Sequence, residues 1–153
     1  MNIIKIFLIS SIIVISSCGY KIVNNINESN IQIINTVFKG NNKINQRLNT
    51  NYKRFFKNEN ATKFLKIVTD SRTIKKVTSK DISGNDSAYS LEIIVSLEVY
   101  ENEEMLNEFD INKKINYNNL NSQFELKQYE KNLTDDLIGL IVTDINNYLL
   151  SIK

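Results

Sequence analysis

The chain opens on an apolar stretch with no polar side. Lys5 is the single charge in residues 1–17, and Ile6–Ile15 follows it as a ten-residue run interrupted only by Ser10 and Ser11. A helix that spans a bilayer needs about 20 apolar residues. A short positive start followed by 7–15 apolar residues is the layout of a secretory signal. The competing reading, a buried core helix, fits poorly because Ile on every side leaves no amphipathic face. Asn24–Asn30 is then a polar tether.

Beyond the tether the hydrophobic period changes repeatedly. Ile31, Ile33 and Ile34 predict a short strand over Asn30–Asn35. Ile44, Leu48, Tyr52 and Phe55 or Phe56 recur every three to four residues and predict a helix over Asn41–Asn58, with Asn41 or Asn42 as its N-cap. Lys63–Asp70 alternates as a strand, continuing past a bulge near Ser71 through Ile74 and Val77. Ile82-Ser83-Gly84-Asn85-Asp86 is a turn. Tyr89, Leu91, Ile93, Val95, Leu97 and Val99 then share one face, with Ser90, Glu92, Ser96 and Glu98 on the other and Ile94 the exception. That is the period of a half-buried antiparallel strand. Glu101–Glu104 turns the chain, and Phe109, Ile111, Ile115 and Tyr117 alternate as a fourth strand. From Gln123 to Ile152 one stripe (Leu126, Tyr129, Leu133, Leu137, Leu140, Ile141, Ile145, Tyr148, Leu149, Ile152) has helical spacing. The order βαβββα predicts an α+β two-layer sandwich, a four-stranded sheet with two helices packed on one face. Its other face, with Ser90, Glu92, Ser96, Glu98, Asp110, Asn112, Lys114 and Asn116, is polar. The expected organisation is a signal at 1–17, a tether at 18–30 and a single domain at 31–153.

Composition narrows the chemistry. The 153 residues include no His, no Pro, four Gly and one Cys, with 24 Asn and 24 Ile. The Asn, Ile and Lys excess has the look of an AT-rich genome. Without His there is no Ser-His-Asp or Cys-His pair and no His metal ligand. One Cys excludes an intrachain disulfide and any CxxC site. Ser-Lys or carboxylate catalysis stays open, but no motif points to it. We therefore expect a protein that is not an enzyme and needs no cofactor or metal.

The lone thiol has a telling place. Ile15-Ser16-Ser17-Cys18-Gly19 closes the apolar run and resembles a bacterial lipobox, in which the Cys is diacylated on sulfur and becomes the new N-terminus. Each buried CH₂ of the acyl chains adds roughly 0.8 kcal/mol of anchoring. Gly at position 19, where lipoproteins retained in the inner membrane commonly carry Asp, points to the outer membrane.

The formal net charge of +2 hides a division. Residues 39–80 hold twelve Lys and Arg against Glu59 and Asp70, a formal +10, whereas residues 81–153 hold 14 acids against five bases, a formal −9. A bipolar surface with an anion-seeking side follows, or else a solvated basic helix that serves solubility. Nucleic acid is not the expected partner, because the export signal takes the chain out of the cytoplasm. A phosphorylated lipid is the anion at the destination.

Taken together, these features resemble a known family. They are Cys18-Gly19-Tyr20, a strand and a helix, a long hairpin into Tyr89–Val99, the strand Lys113-Lys114-Ile115-Asn116-Tyr117-Asn118, and a closing helix bearing Glu125, Glu130, Leu133, Asp136, Leu137, Ile141, Asp144, Ile145, Tyr148 and Leu149. The chain resembles the lipopolysaccharide-assembly lipoproteins of the LptE family across essentially the whole mature sequence. The resemblance implies an outer-membrane lipoprotein on the periplasmic side, seated in the lumen of an LptD-type β-barrel. It implies that the protein plugs the barrel, assists its assembly, binds lipopolysaccharide and helps deliver it to the outer leaflet. Carried over, the lipopolysaccharide-binding positions are Lys113 or Lys114 and, less closely aligned, Lys75, Lys76 and Lys80. Lys113 shares its phase with Ile111 and Ile115, so Lys114, on the polar face, is the stronger candidate of the two. The alternative is an accessory lipoprotein of an ABC-type envelope lipid transporter. The lipobox makes a direct prediction: cells expressing the chain incorporate labelled palmitate into it, and Cys18→Ala abolishes the label on a gel.

Overall fold

A computed structural model of the chain describes residues 30–152. The expected signal, Cys18 and nearly all of the tether therefore lie outside the described residues. The elements are β1 (Ile31–Gly40), α1 (Asn42–Tyr52) with a 3₁₀ turn at Lys53–Phe55, β2 (Lys63–Lys80), β3 (Asp86–Glu101), β4 (Glu104–Asn118) and α2 (Gln123–Ser151). The strands form one sheet in the order β1-β2-β3-β4. β1 and β2 are parallel, since the chain crosses over through α1 between them, and the other two pairs are antiparallel hairpins. The expected α+β layout with two helices and four strands is the one observed.

The alternating residues of β3 explain the layering. Tyr89, Leu91, Ile93, Val95, Leu97 and Val99 are all buried. They meet Leu65 and Ile67 of β2, Ile111 and Tyr117 of β4, and Ile31 and Ile33 of β1 in one cluster. Both helices close that face. α1 contributes Ile44, Leu48 and Tyr52, and α2 contributes Leu126, Leu133, Leu137, Ile138, Ile141, Ile145 and Leu149. Burying each such Leu or Ile side chain contributes roughly 1.5–3 kcal/mol. Asn51 and Asn146 exchange amide hydrogen bonds of 2.7 and 3.4 Å between the helices, a polar pair that sets their relative register.

Four details differ from the sequence-based expectations. β1 runs to Gly40, well past Asn35, because a bulge after Ile33 leaves Ile34 as the extra residue and returns Thr36 and Phe38 to the inner side. Phe38 then stacks on Tyr52 with ring centroids 6.0 Å apart. The first helix ends at Tyr52, short of Asn58, and tightens into the 3₁₀ turn that buries Phe55. The Asn58 side chain instead donates to the Ile31 carbonyl (3.0 Å), and Gln32 donates to that of Phe56 (2.9 Å). β2 pairs with β3 in unbroken register through Ser71, and the irregularity falls between Val77 and Lys80. On α2 Ile138 joins the core although it lies outside the expected stripe, while Leu140 and Tyr129 of that stripe face outward. The wider stripe arises because α2 meets α1 as well as the sheet.

The link from β1 to α1 is the tightest place in the fold. Gly40 has φ +85°, and a Cβ there would lie 1.9 Å from the Ser71 carbonyl oxygen. The Asn41 N–H donates to that oxygen (2.8 Å), and the Ser71 hydroxyl donates to Asn45 Oδ1 (2.7 Å). Asn41 caps α1, its side chain accepting from the N–H groups of Lys43 and Ile44. Asn102 (φ 50°) and Glu103 (φ 66°) make the two-residue β3–β4 turn, with the left-handed pair of a type I′ hairpin. Gly40→Ala therefore combines backbone strain with a main-chain clash. We expect a loss of about 3 kcal/mol or more in a denaturant titration, since strain alone contributes roughly 1–3 kcal/mol.

Candidate functional site: the open sheet face and the long hairpin

Two helices on one side leave the other side of the sheet uncovered. Its rows follow from the register. Lys66, Tyr100 and Met105 form one row, Val68, Glu98 and Glu108 the next, then Asp70, Ser96 and Asp110, then Arg72, Ile94 and Asn112. Ile74, Glu92 and Lys114 follow, and Lys76, Ser90 and Asn116 complete the series. The polar members are tied across strands. Ser96 donates to Asp110 (2.5 Å), Asn112 to Glu92 (2.6 Å) and Tyr100 to Glu98 (2.6 Å). Donation to the Glu98 carboxylate holds the Tyr100 phenol above its usual range. Lys66 pairs with Glu103 at 3.3 Å and lies 5.4 Å from the Tyr100 ring centre.

β1 stops opposite Ser71, so Arg72–Lys80 of β2 has no β1 neighbour. That strand and the start of β3 project as a hairpin roughly 30 Å beyond the end of β1, at about 3.3 Å per residue. At its tip the Asp81 carboxylate accepts from the N–H groups of Asn85 (2.9 Å) and Ser83 (2.8 Å) and from the Asn85 amide (3.1 Å). These bonds, the Asn85 N–H foremost, hold its pKa below the usual carboxylate value.

Strand phase divides the five predicted lysines. Lys75 lies on the helix side, where it pairs with Glu130 of α2 at 2.6 Å and sits 4.2 Å from the Tyr89 ring centre. Lys113 also lies there, paired with Asp144 of α2 at 2.6 Å. Lys76 and Lys114 stand exposed on the open face, and neither has an ion-pair partner among the described residues. Lys80 sits near the tip, 3.9 Å from Asp86. By strand spacing Lys76 and Lys114 are about 12 Å apart, two strands across and one row along. Lys39 of β1 joins them on this face, as do Lys66 and Arg72 of β2, whose alternation (66, 68, 70, 72, 74, 76) is the sequence signal for the latter two.

The two inward lysines belong to clasps that fasten α2 to the sheet. Glu130 accepts from the Tyr117 hydroxyl (2.7 Å) as well as from Lys75. Burial, then the hydrogen bond and charge of Glu130, raises the Tyr117 pKa well above 10.0. Phe109 meets Tyr148 edge-on at 4.6 Å farther along the helix. Among the described residues no group of three His, Cys, Asp or Glu is placed to hold a metal, and no helix is long and apolar enough to cross a membrane.

This geometry has relatives among solved structures. Rare lipoprotein B from Shewanella oneidensis superposes with a TM-score of 0.53 at 16% identity, over 76% of this chain and 94% of that one. A minor lipoprotein from Acinetobacter baumannii gives 0.57 at 10% identity, over 76% and 90%. Lipoprotein B from Nitrosomonas europaea gives 0.55 at 17% identity, over 84% and 88%. The chain thus has the fold of these bacterial lipoproteins. No protein-family profile matches it, and no curated protein matches it in sequence.

The clasp makes a pH prediction. A phenol whose folded pKa is raised stabilises the fold fully below the unfolded pKa of 10.0, and that stability is lost as pH rises toward the folded value. Tyr52, pushed up to about 12 chiefly by burial, acts in the same direction. Melting temperature should fall above about pH 10, and Tyr52→Phe with Tyr117→Phe should flatten that fall.

Proposed function

We propose that the chain is an outer-membrane lipoprotein of the LptE type. In this reading Cys18 carries the lipid anchor and the domain faces the periplasm. It occupies and plugs the lumen of an LptD-type β-barrel, assists that barrel's assembly, and helps pass lipopolysaccharide to the outer leaflet. The observation that carries the reading is the fold, held in common with rare lipoprotein B and other bacterial lipoproteins, on a sequence with a lipobox at Ile15–Cys18.

The open sheet face supports it further. Cross-bonded Ser, Asn, Asp and Glu with scattered lysines, interleaved with Val68, Ile74, Ile94 and Met105, make a mixed surface whose polar part suits the hydrated interior of a large barrel. It would be wasteful against a second apolar layer. Lys39, Lys76 and Lys114 stand on this face with no ion pair among the described residues, and Lys76 and Lys114, on the hairpin and the fourth strand, are the ones that would meet lipid phosphates through charge-assisted hydrogen bonds. Lys75 and Lys113 act through the fold, holding α2 in place, and Lys80, near the hairpin tip, is paired with Asp86. The domain's role is recognition and assembly, with no catalysed step.

Copurification decides the partner. Tagged full-length chain extracted in mild detergent should bring down its LptD-type barrel, and Cys18→Ala should separate anchoring from docking. Recovery of a permease or substrate-binding protein instead would favour the ABC-type transporter reading. Within the complex, Lys76→Glu with Lys114→Glu should weaken lipopolysaccharide binding by about tenfold or more, each charge-assisted bond contributing roughly 1.5–3 kcal/mol. Circular dichroism should stay unchanged.

A further inference from the structure

The two helices do not close against each other along their solvent side. Two adjoining cavities, of about 280 and 240 Å³, run between them and share Arg47 and Thr50 in their walls. The first also touches Lys43 and Asp135, and the second touches Arg54 and Gly139. Arg54 follows Arg47 by seven residues, and although it stands in the 3₁₀ turn just past the end of α1, both arginines line the second cavity.

The charges in this groove are unbalanced. Neither Arg47 nor Arg54 has an ion-pair partner among the described residues. Arg54 is held by donation from Nε to the Asn51 carbonyl (3.2 Å), which leaves its terminal nitrogens for a ligand. The carboxylate in the wall, Asp135, is already committed to Lys43 at 3.0 Å. That pair bridges the helices at one end of the groove.

Gly139 is the second, separate observation. It stands in the middle of the 29-residue α2, where glycine is less favourable than alanine. Packing does not require it, since a Cβ there would meet nothing within 4 Å. What the missing side chain provides is space, on the α2 wall of the cavity that Arg54 lines.

We propose that the α1–α2 groove is a binding site for a phosphate monoester, held by the Arg47 and Arg54 guanidinium forks against the bare backbone at Gly139. Paired N–H groups of a guanidinium match two phosphate oxygens at once, which an ammonium does not. The site lies on the opposite side of the sheet from Lys76 and Lys114, and it does not depend on a barrel partner.

Phosphorus NMR on the full-length chain in non-ionic detergent tests it, with two probes: inorganic phosphate, and micelles doped with phosphatidic acid. A shifted signal with both, the lipid signal being displaced by free phosphate, assigns the groove to a lipid headgroup. A shift with inorganic phosphate alone assigns it to a soluble phosphate. In either case Arg47→Gln and Arg54→Gln should each weaken binding about tenfold. Gly139→Glu should abolish it while leaving the melting temperature unchanged or higher. Gly139→Ala reports whether helix stability alone moves the signal, and Lys127→Gln on the outer side of α2 should have no effect. The proposal is overturned if neither probe shifts, or if the arginine variants bind like the unaltered chain. It is equally overturned if binding is lost only with Lys76→Glu and Lys114→Glu, which would place the phosphate on the open sheet face.

Discussion

The contact between Gly40 and Ser71 constrains everything that follows it in the chain. The Gly40 backbone runs so close to the Ser71 carbonyl that no side chain fits, and its left-handed conformation turns the chain sharply off the end of β1. The Ser71 hydroxyl and carbonyl receive and direct the first turn of α1 through Asn41 and Asn45. This junction brings α1 down over β1 and β2, beside α2, on the same side of the sheet. Had the crossover covered the other side, the apolar residues of β1 and β2 would have lost their cover and the polar rows of β3 and β4 would have been buried without partners.

From that one-sidedness comes the division of labour among charged residues. On the covered side a lysine next to an apolar core is tolerated only if a helix carboxylate meets it. Lys75 with Glu130 and Lys113 with Asp144 are such pairs, each spanning from strand to α2. On the uncovered side water and cross-strand hydrogen bonds satisfy the polar groups, and cations such as Lys76 and Lys114 have no ion pair among the described residues. The same sequence interval, 75–76 or 113–114, thus yields one structural and one available ammonium, because successive strand residues point to opposite faces. The formal +10 and −9 of the two chain segments are partly neutralised in this way, by Lys43 with Asp135 and Lys75 with Glu130.

Much of the fold was legible because its period-2 and helical signals are long. The eleven-residue alternation Tyr89–Val99 and the stripe of α2 leave little choice about element type. β1 was harder to read, because a bulge at Ile34 reverses the phase of Thr36-Val37-Phe38 and hides a strand that is continuous in space. The end of α1 is not legible in the sequence, because Phe55 and Phe56 fit a continuing helix, whereas side-chain bonds from Gln32 and Asn58 favour the tighter turn. At the candidate site, phase assigned Lys114 to the open face and Lys113 to the helix side. The same phase in β2 separates Lys75 from Lys76 and puts Lys66 and Arg72 on the open face.

Sequence by itself determined the local matters: which residues form strands and helices, the absence of histidine chemistry, and the two-layer α+β class. These follow from periodicity and composition, which act over a few residues and survive in one dimension. Only the tertiary structure decided which cations are already paired. An ion pair between Lys75 and Glu130 joins residues 55 positions apart, and nothing local to either announces the other. The groove between α1 and α2, with Arg47 and Arg54 facing Gly139, likewise exists only once two distant helices lie side by side. Electrostatic pairing and cavity shape depend on distances in space, and those are set by how the Gly40 turn and the sheet register bring the elements together.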